Sequence, residues 1–350
     1  MDNTHHNKSV RFATTGRFFV ATLAALLLVA CTNNDKTVLT GETQGSYYTI
    51  AYYDPQHRDL QPAVDSILNL MDQTLSLWND SSLLRHLNET GQGRINIELK
   101  TTFDHSQAIA AYTDGAFDCR VGRLVRAWGF SFKQRETLSQ TEIDSLLTYS
   151  HGSVSLQNTD SGLVLVKQYP QTELDFNAIA QGETSDRIAQ MLRERGINSF
   201  MVDVGGEIIT GAPKPDGSLW TIGIERPASN RYDEQQVLLA IGVSNLSVVT
   251  SGNYRKYYEK DGVKYSHTID PTTGRPVSHT LLSATVVSDS AWRADALATA
   301  FMVMGLDSAM RFIAAHPDDP DINRSFFIYS DQDGEYKTYA TPEFEKLTTE

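Results

Sequence analysis

Residues 175–211 read D-F-N-A-I-A-Q-G-E-T-S-D-R-I-A-Q-M-L-R-E-R-G-I-N-S-F-M-V-D-V-G-G-E-I-I-T-G. Apolar spacing makes 179–195 a helix, and Gly196 closes it. Residues 199–204 are a short apolar run of strand type. The Gly205–Gly206 pair is a tight turn into a second strand, 207–211. Strands and helices alternate here without the strict βαβ rhythm of a doubly wound sheet. No G-x-G-x-x-G occurs anywhere in the chain, so a Rossmann site has no support. The stretch predicts an α+β fold, with mixed sheets and packed helices.

The same signals extend outward. Residues 47–53 are aromatic and β-branched, a strand. Leu60, Val64, Ile67, Leu68, Met71 and Leu75 place a helix over 60–78. Further helices are expected at 102–113, 141–149, 290–304 and 307–315. Strands are expected at 153–156, 162–166, 220–225, 237–243, 283–288 and 325–329, with a hairpin over 254–269 around Asp261–Gly262. Residues 317–321, P-D-D-P-D, read as a loop.

The N-terminus reads as an address. Lys8, Arg11 and Arg17 form a basic head, and 18–30 is an apolar run too short to span a bilayer. It leads into L-V-A-C at 28–31, which matches the bacterial lipobox; Cys31 is the residue such a motif acylates. The division that follows is a signal peptide at 1–30, a polar tether at 31–40 and one domain at 41–350. Cleavage before Cys31 leaves 320 residues and moves the formal charge from −13 to −15. So acidic a surface argues against nucleic acid as a partner. Cys119 is the one other cysteine, so an internal disulfide and a cysteine-rich metal site are both excluded, and Cys119 reads as a packing residue.

The chemical blocks each have a plain reading. Asp175 and Asn177 sit where helix caps sit, although a helix N-terminus of small residues also lets backbone approach an anion. Trp78 ends a core helix. Asp295 and Thr299, four apart, share one helix face: a polar patch, or two hard oxygen ligands suited to magnesium. His267 is a structural histidine, or a group able to take a proton from an attacking hydroxyl.

In order and spacing, these blocks resemble the ApbE family of flavin transferases, which take FMN from FAD and attach it to a protein threonine. The resemblance rests on D-F-N-A-I-A-Q-G at 175–182, D-V-G-G-E-I at 203–208, S-H-T-I-D-P-T-T-G-R at 266–275 and A-D-A-L-A-T at 294–299. It extends to Q-G-S-Y-Y at 44–48, L-W-N at 77–79, G-A-F-D-C-R-V-G at 115–122 and T-S-G-N-Y-R at 250–255. It implies two interleaved α/β subdomains. It also implies flavin contacts at Gln44, Trp78, Ala116, Phe117, Asp118, Asp175, Gln181, Gly205, Gly206, Ser251, His267 and Ile269. Magnesium is implied at the Ala178 carbonyl, Asp295 and Thr299, with catalytic roles for Asp295 and His267.

The implied reaction uses FAD as substrate and releases AMP. The implied acceptors are flavoprotein subunits of Nqr- or Rnf-type electron-transport complexes, met from a lipid anchor on the periplasmic face of the inner membrane. This chain departs from the family pattern at several positions. Gln44 replaces Met, Gln181 replaces Lys, Arg120 and Arg123 replace Thr and Pro, and Ala298 stands where some members have a second Asp. These changes keep two alternatives in view: FAD hydrolysis to FMN and AMP, or flavin binding without catalysis.

Overall fold

Lys36–Thr43 alternates exposed and half-buried residues along its whole length and forms an edge strand, β1. Residues 36–40 therefore belong to the folded domain, which corrects the expected tether of 31–40. The polar composition there is one face of a strand, and its hydrogen-bonding partner lies further along the chain. That partner is β2, Ser46–Tyr53, antiparallel from Lys36↔Tyr53 to Thr43↔Ser46. The two-residue loop between them holds Gln44 and Gly45 at φ 49° and 71°, the positive values that hairpins of this length favour.

The structure is a computed structural model and describes residues 35–129, 138–160, 162–227, 236–253, 257–260, 263–266 and 268–349. Helix α1 is Gln61–Leu75. It stops at Ser76, whose hydroxyl accepts the Trp78 and Asn79 N–H groups at 3.2 and 3.1 Å. Trp78 thus lies past the helix expected at 60–78 and is 54% exposed rather than part of the core. Helix α2, Leu83–Thr90, is capped by Ser82 and closed by Gly91 at φ 84°. Strand β3, Gln92–Arg94, precedes α3, Ile97–Tyr112. α3 starts five residues before the expected 102 because Asn96 caps it, accepting the Leu99 N–H at 3.0 Å.

α4, Gly122–Ala127, and α5, Gln140–Ser150, lead to the hairpin of β4, Val154–Thr159, and β5, Gly162–Lys167. Then follow α6, Ala180–Glu194, β6, Phe200–Val204, and β7, Glu207–Thr210, as the opening stretch predicts. β8, Trp220–Glu225, pairs with β9, Val237–Val243. β10, Ser247–Gly252, carries the T-S-G block. β11, Tyr257–Lys260, and β12, Val263–Ser266, form the expected hairpin. β13, Ile269–Asp270, and β14, Arg275–Pro276, flank a turn. The chain closes with β15, Leu281–Ser288, α7, Ala291–Met304, α8, Leu306–Ala315, β16, Ser325–Ser330, β17, Tyr336–Ala340, and α9, Pro342–Glu345.

Eight strands form the main sheet in the order β1-β2-β6-β7-β10-β15-β16-β17, each neighbouring pair antiparallel. A dinucleotide fold of the Rossmann kind requires a mostly parallel sheet, so the non-Rossmann expectation holds. The sheet draws strands from both ends and the middle of the chain, while the helices α2–α5 and the β3-β5-β4 sheet come from between. The segments interleave as expected, around a shared core of Leu99, Phe103, Leu165, Phe176, Val249, Phe301 and Phe327. α7 is buried nearly all round, as a central helix must be.

Candidate active site

α6 and α7 begin side by side. A Cβ on Gly182 would stand 2.6 Å from the Ala291 carbonyl oxygen and 2.8 Å from Trp292 Cα, so glycine alone permits this approach. The Gly182 N–H donates to Asp295 Oδ2 at 3.3 Å. The neighbouring Ala180 and Glu183 N–H groups instead take the Phe176 and Ile179 carbonyls at 2.8 and 2.9 Å. The Ala178 carbonyl is thereby left without a backbone donor among the described residues. Asp295 is 4% exposed, and burial pushes its carboxyl up to about 7. The Gly182 N–H opposes that rise and the Glu183 charge adds to it. One turn along α7, Thr299 Oγ1 lies 3.3 Å from Ser251 Oγ on β10.

The turn between β6 and β7 forms a second wall. Gly205 and Gly206 have φ 71° and 108°, conformations that favour glycine. Asp203 Oδ1 accepts the Gly206 N–H at 2.9 Å, and the Tyr47 carbonyl accepts the Gly205 N–H at 2.9 Å. Gln181 lies against this turn: a Cβ on Gly205 would stand 2.3 Å from its Nε2. Gln44 reaches α6 from the hairpin tip, donating from Nε2 to Thr184 Oγ1 at 2.7 Å. Its Oε1 is buried without a hydrogen-bond partner among the described residues. Gln44 also borders a cavity of about 380 Å³ lined by Glu42, Tyr48, Asp65 and Asp72.

The segment carrying Ala116, Phe117 and Asp118 runs beside the one carrying Asp175. The Asp175 N–H donates to the Cys119 carbonyl at 2.7 Å, and the Gly122 N–H to the Glu173 carbonyl at 3.2 Å. Phe117 is buried in the main core and Ala116 packs on it. Asp118 is buried, and Arg120 grips both its oxygens at 2.6–3.1 Å. The Arg120 departure thus neutralises a buried acid. Burial pushes the Asp175 carboxyl up to about 6 although part of its surface stays open, while the Asn177 N–H, donating to it at 2.9 Å, pulls the other way. Asn177 is not the helix cap, since α6 begins at Ala180 with no capping side chain. Ile269 packs in a separate cluster with Leu124, Trp128 and Ile143. Cys119 is fully buried and burial raises its thiol pKa, as a packing residue requires. Cys31 and His267 lie outside the described residues.

Three residues near Asp295 carry no signal in the sequence reading. Glu183 follows Gly182 and is 8% exposed. His105 Nδ1 is hydrogen-bonded to its Oε1. The His105 ring lies flat on Trp292, with centroids 3.8 Å apart and planes 9° apart. Their one legible sign is position: Glu183 lies inside the 175–195 stretch, and Trp292 is three residues before Asp295.

The donors gathered at the α6–α7 junction fit magnesium. They are all oxygen: a carbonyl without a backbone donor, a buried carboxylate held by one long hydrogen bond, and a hydroxyl one helical turn away. A small, hard cation would supply the opposite charge that this buried carboxylate does not meet among the described residues.

The ApbE family is matched over residues 44–322. A Vibrio cholerae protein named FAD:protein FMN transferase is 34% identical over 336 residues, covering 93% of this chain and 97% of that protein. A Haemophilus influenzae protein of the same name is 30% identical over 342 residues, covering 94% and 96%. The solved flavin transferase ApbE from Vibrio cholerae superposes with a TM-score of 0.75 at 31% identity, over 89% of this chain and 99% of that one. The apo flavinyl transferase ApbE of Pseudomonas stutzeri gives 0.76 at 30%, over 89% and 96%. This chain belongs to the ApbE family.

Proposed function

We propose that this chain transfers FMN from FAD to a threonine of an acceptor flavoprotein, in a magnesium-dependent reaction that releases AMP. The observation that carries the reading is the junction of α6 and α7, where Gly182 and Asp295 meet beside the Ala178 carbonyl and Thr299 in a chain of this family. A magnesium ion held there would supply charge neutralisation for the pyrophosphate. Ala178, Asp295 and Thr299 are the residues to hold it. Gly206 faces open space that leaves room for the substrate, Gly205 makes room for the Gln181 amide, and Gln44 and Gln181 offer amide donors without charge. The threonine oxygen bonds to the FMN phosphorus, the pyrophosphate P–O bond breaks, and AMP departs with the bridging oxygen. His267 is the group assigned to take the hydroxyl proton.

Incubation with FAD, magnesium and a candidate acceptor, followed by mass spectrometry, tests this reading. An FMN adduct on the acceptor supports transfer. Free FMN and AMP instead mean hydrolysis, and unchanged FAD means binding alone. Gln181 offers a second test, because its amide lies against Gly205 where the family carries a cation. Gln181→Lys is expected to bind FAD at least as tightly as the natural protein in a fluorescence titration. A clear loss of affinity would show that Gln181 makes a contact Lys cannot reproduce.

We propose further that the enzyme is lipid-anchored on the periplasmic face of the inner membrane, a reading supported by the lipobox at 28–31 and by the Nqr- or Rnf-type acceptors that the resemblance implies. Among the described residues no helix is long and apolar enough to cross a membrane. With β1 starting at Lys36, four residues of sequence lie between Cys31 and the first strand, a short link for an acyl anchor on Cys31. Cys31→Ser is expected to move the processed protein from the membrane to the soluble exported fraction, since acyl burial is the anchoring force. A processed, folded mutant that still sediments with membranes argues against lipidation.

A further inference from the structure

The metal side of the site holds a second buried acid. Ala298, where some family members carry an Asp, is fully buried, so α7 offers Asp295 alone. Glu183 approaches from α6, one residue beyond the Gly182 N–H that bonds Asp295. It is buried, and its charge reaches Asp295. It is also held in place. His105 on α3 bonds its Oε1, the His105 ring rests on Trp292 of α7, and the Trp292 N–H donates to Asp186 Oδ2 at 2.9 Å. Three helices therefore fix this carboxylate at the junction where Gly182 meets Asp295. Two buried acids at one junction oppose folding unless positive charge compensates them. His105 offers a hydrogen bond on one side, and a divalent cation offers charge on the other.

We propose that Glu183, oriented by His105, supplies the second negative charge of the magnesium site, in place of the one Ala298 lacks. This rests on the reading of Asp295 as a magnesium ligand. Glu183 is a positioning residue: its field draws the cation toward Asp295.

The test is calorimetric titration of magnesium alone into the FAD-free full chain in detergent. Glu183→Gln is expected to weaken magnesium binding about tenfold or more, the scale on which partners around metal ligands act. Glu183→Asp, which keeps the charge, recovers most of that loss. FAD binding without metal stays as in the natural protein. Natural magnesium affinity in Glu183→Gln, alongside its loss in Asp295→Asn, overturns the role of Glu183 and leaves Asp295 as ligand. Natural affinity in Asp295→Asn overturns the magnesium reading and this inference with it. A measurement on the natural protein needs no variant: the His105 ring resonances should shift as magnesium occupies the site. Resonances that stay still at full occupancy overturn the proposal.

Discussion

Asp295→Asn is expected to fold and to transfer FMN, or cleave FAD, on the order of a hundredfold more slowly, a loss of about 3 kcal/mol in transition-state stabilisation. It keeps the size of the side chain while removing the only carboxylate α7 brings to the site. FAD affinity should fall less than turnover. Thr299→Val should show a milder loss, because water can replace a neutral hydroxyl ligand. Natural turnover by Asp295→Asn at limiting magnesium would place the metal elsewhere.

The same substitution has a stability signature. Burial raises the Asp295 carboxyl from 3.8 to about 7 in the folded chain. The folded state therefore holds the proton over that window, and metal-free stability falls as pH rises through it. Asp295→Asn removes this dependence. Without magnesium, its stability advantage over the natural protein should grow from about pH 4 and level off above about pH 7, reaching about 1–3 kcal/mol. Denaturant melts across that range measure it, and an advantage that shrinks with rising pH contradicts the assignment.

Gly182→Ala is expected to destabilise the fold by about 1–3 kcal/mol, the usual effect of overpacking. Its methyl group meets backbone, the Ala291 carbonyl at 2.6 Å and Trp292 Cα at 2.8 Å, rather than a side chain able to rotate away. Relief requires the starts of α6 and α7 to separate, which lengthens the 3.3 Å bond from Gly182 N–H to Asp295. Transfer activity should fall together with the denaturation midpoint. A mutant with natural stability and rate would mean that the two helices do not need this contact.

The sequence by itself determined the elements whose signals are local. The helix after 179, the strand before Gly205 and the turn at Gly205–Gly206 follow from apolar spacing and from conformations that favour glycine, all within a few residues. The family was equally legible, because its blocks keep their order. Local signals misled where a partner came from elsewhere. β1 read as tether because its pairing with β2 is invisible in composition, and Trp78 read as core because the Ser76 turn ends α1 three residues earlier. Only the tertiary structure decided the site's electrostatics. Asp295 meets Gly182 across 113 residues, Gln44 meets Thr184 across 140, and His105 meets Glu183 across 78. Burial sets the proton affinity of Asp295, and burial depends on which faces pack together. That choice belongs to the whole core and to no single stretch of chain.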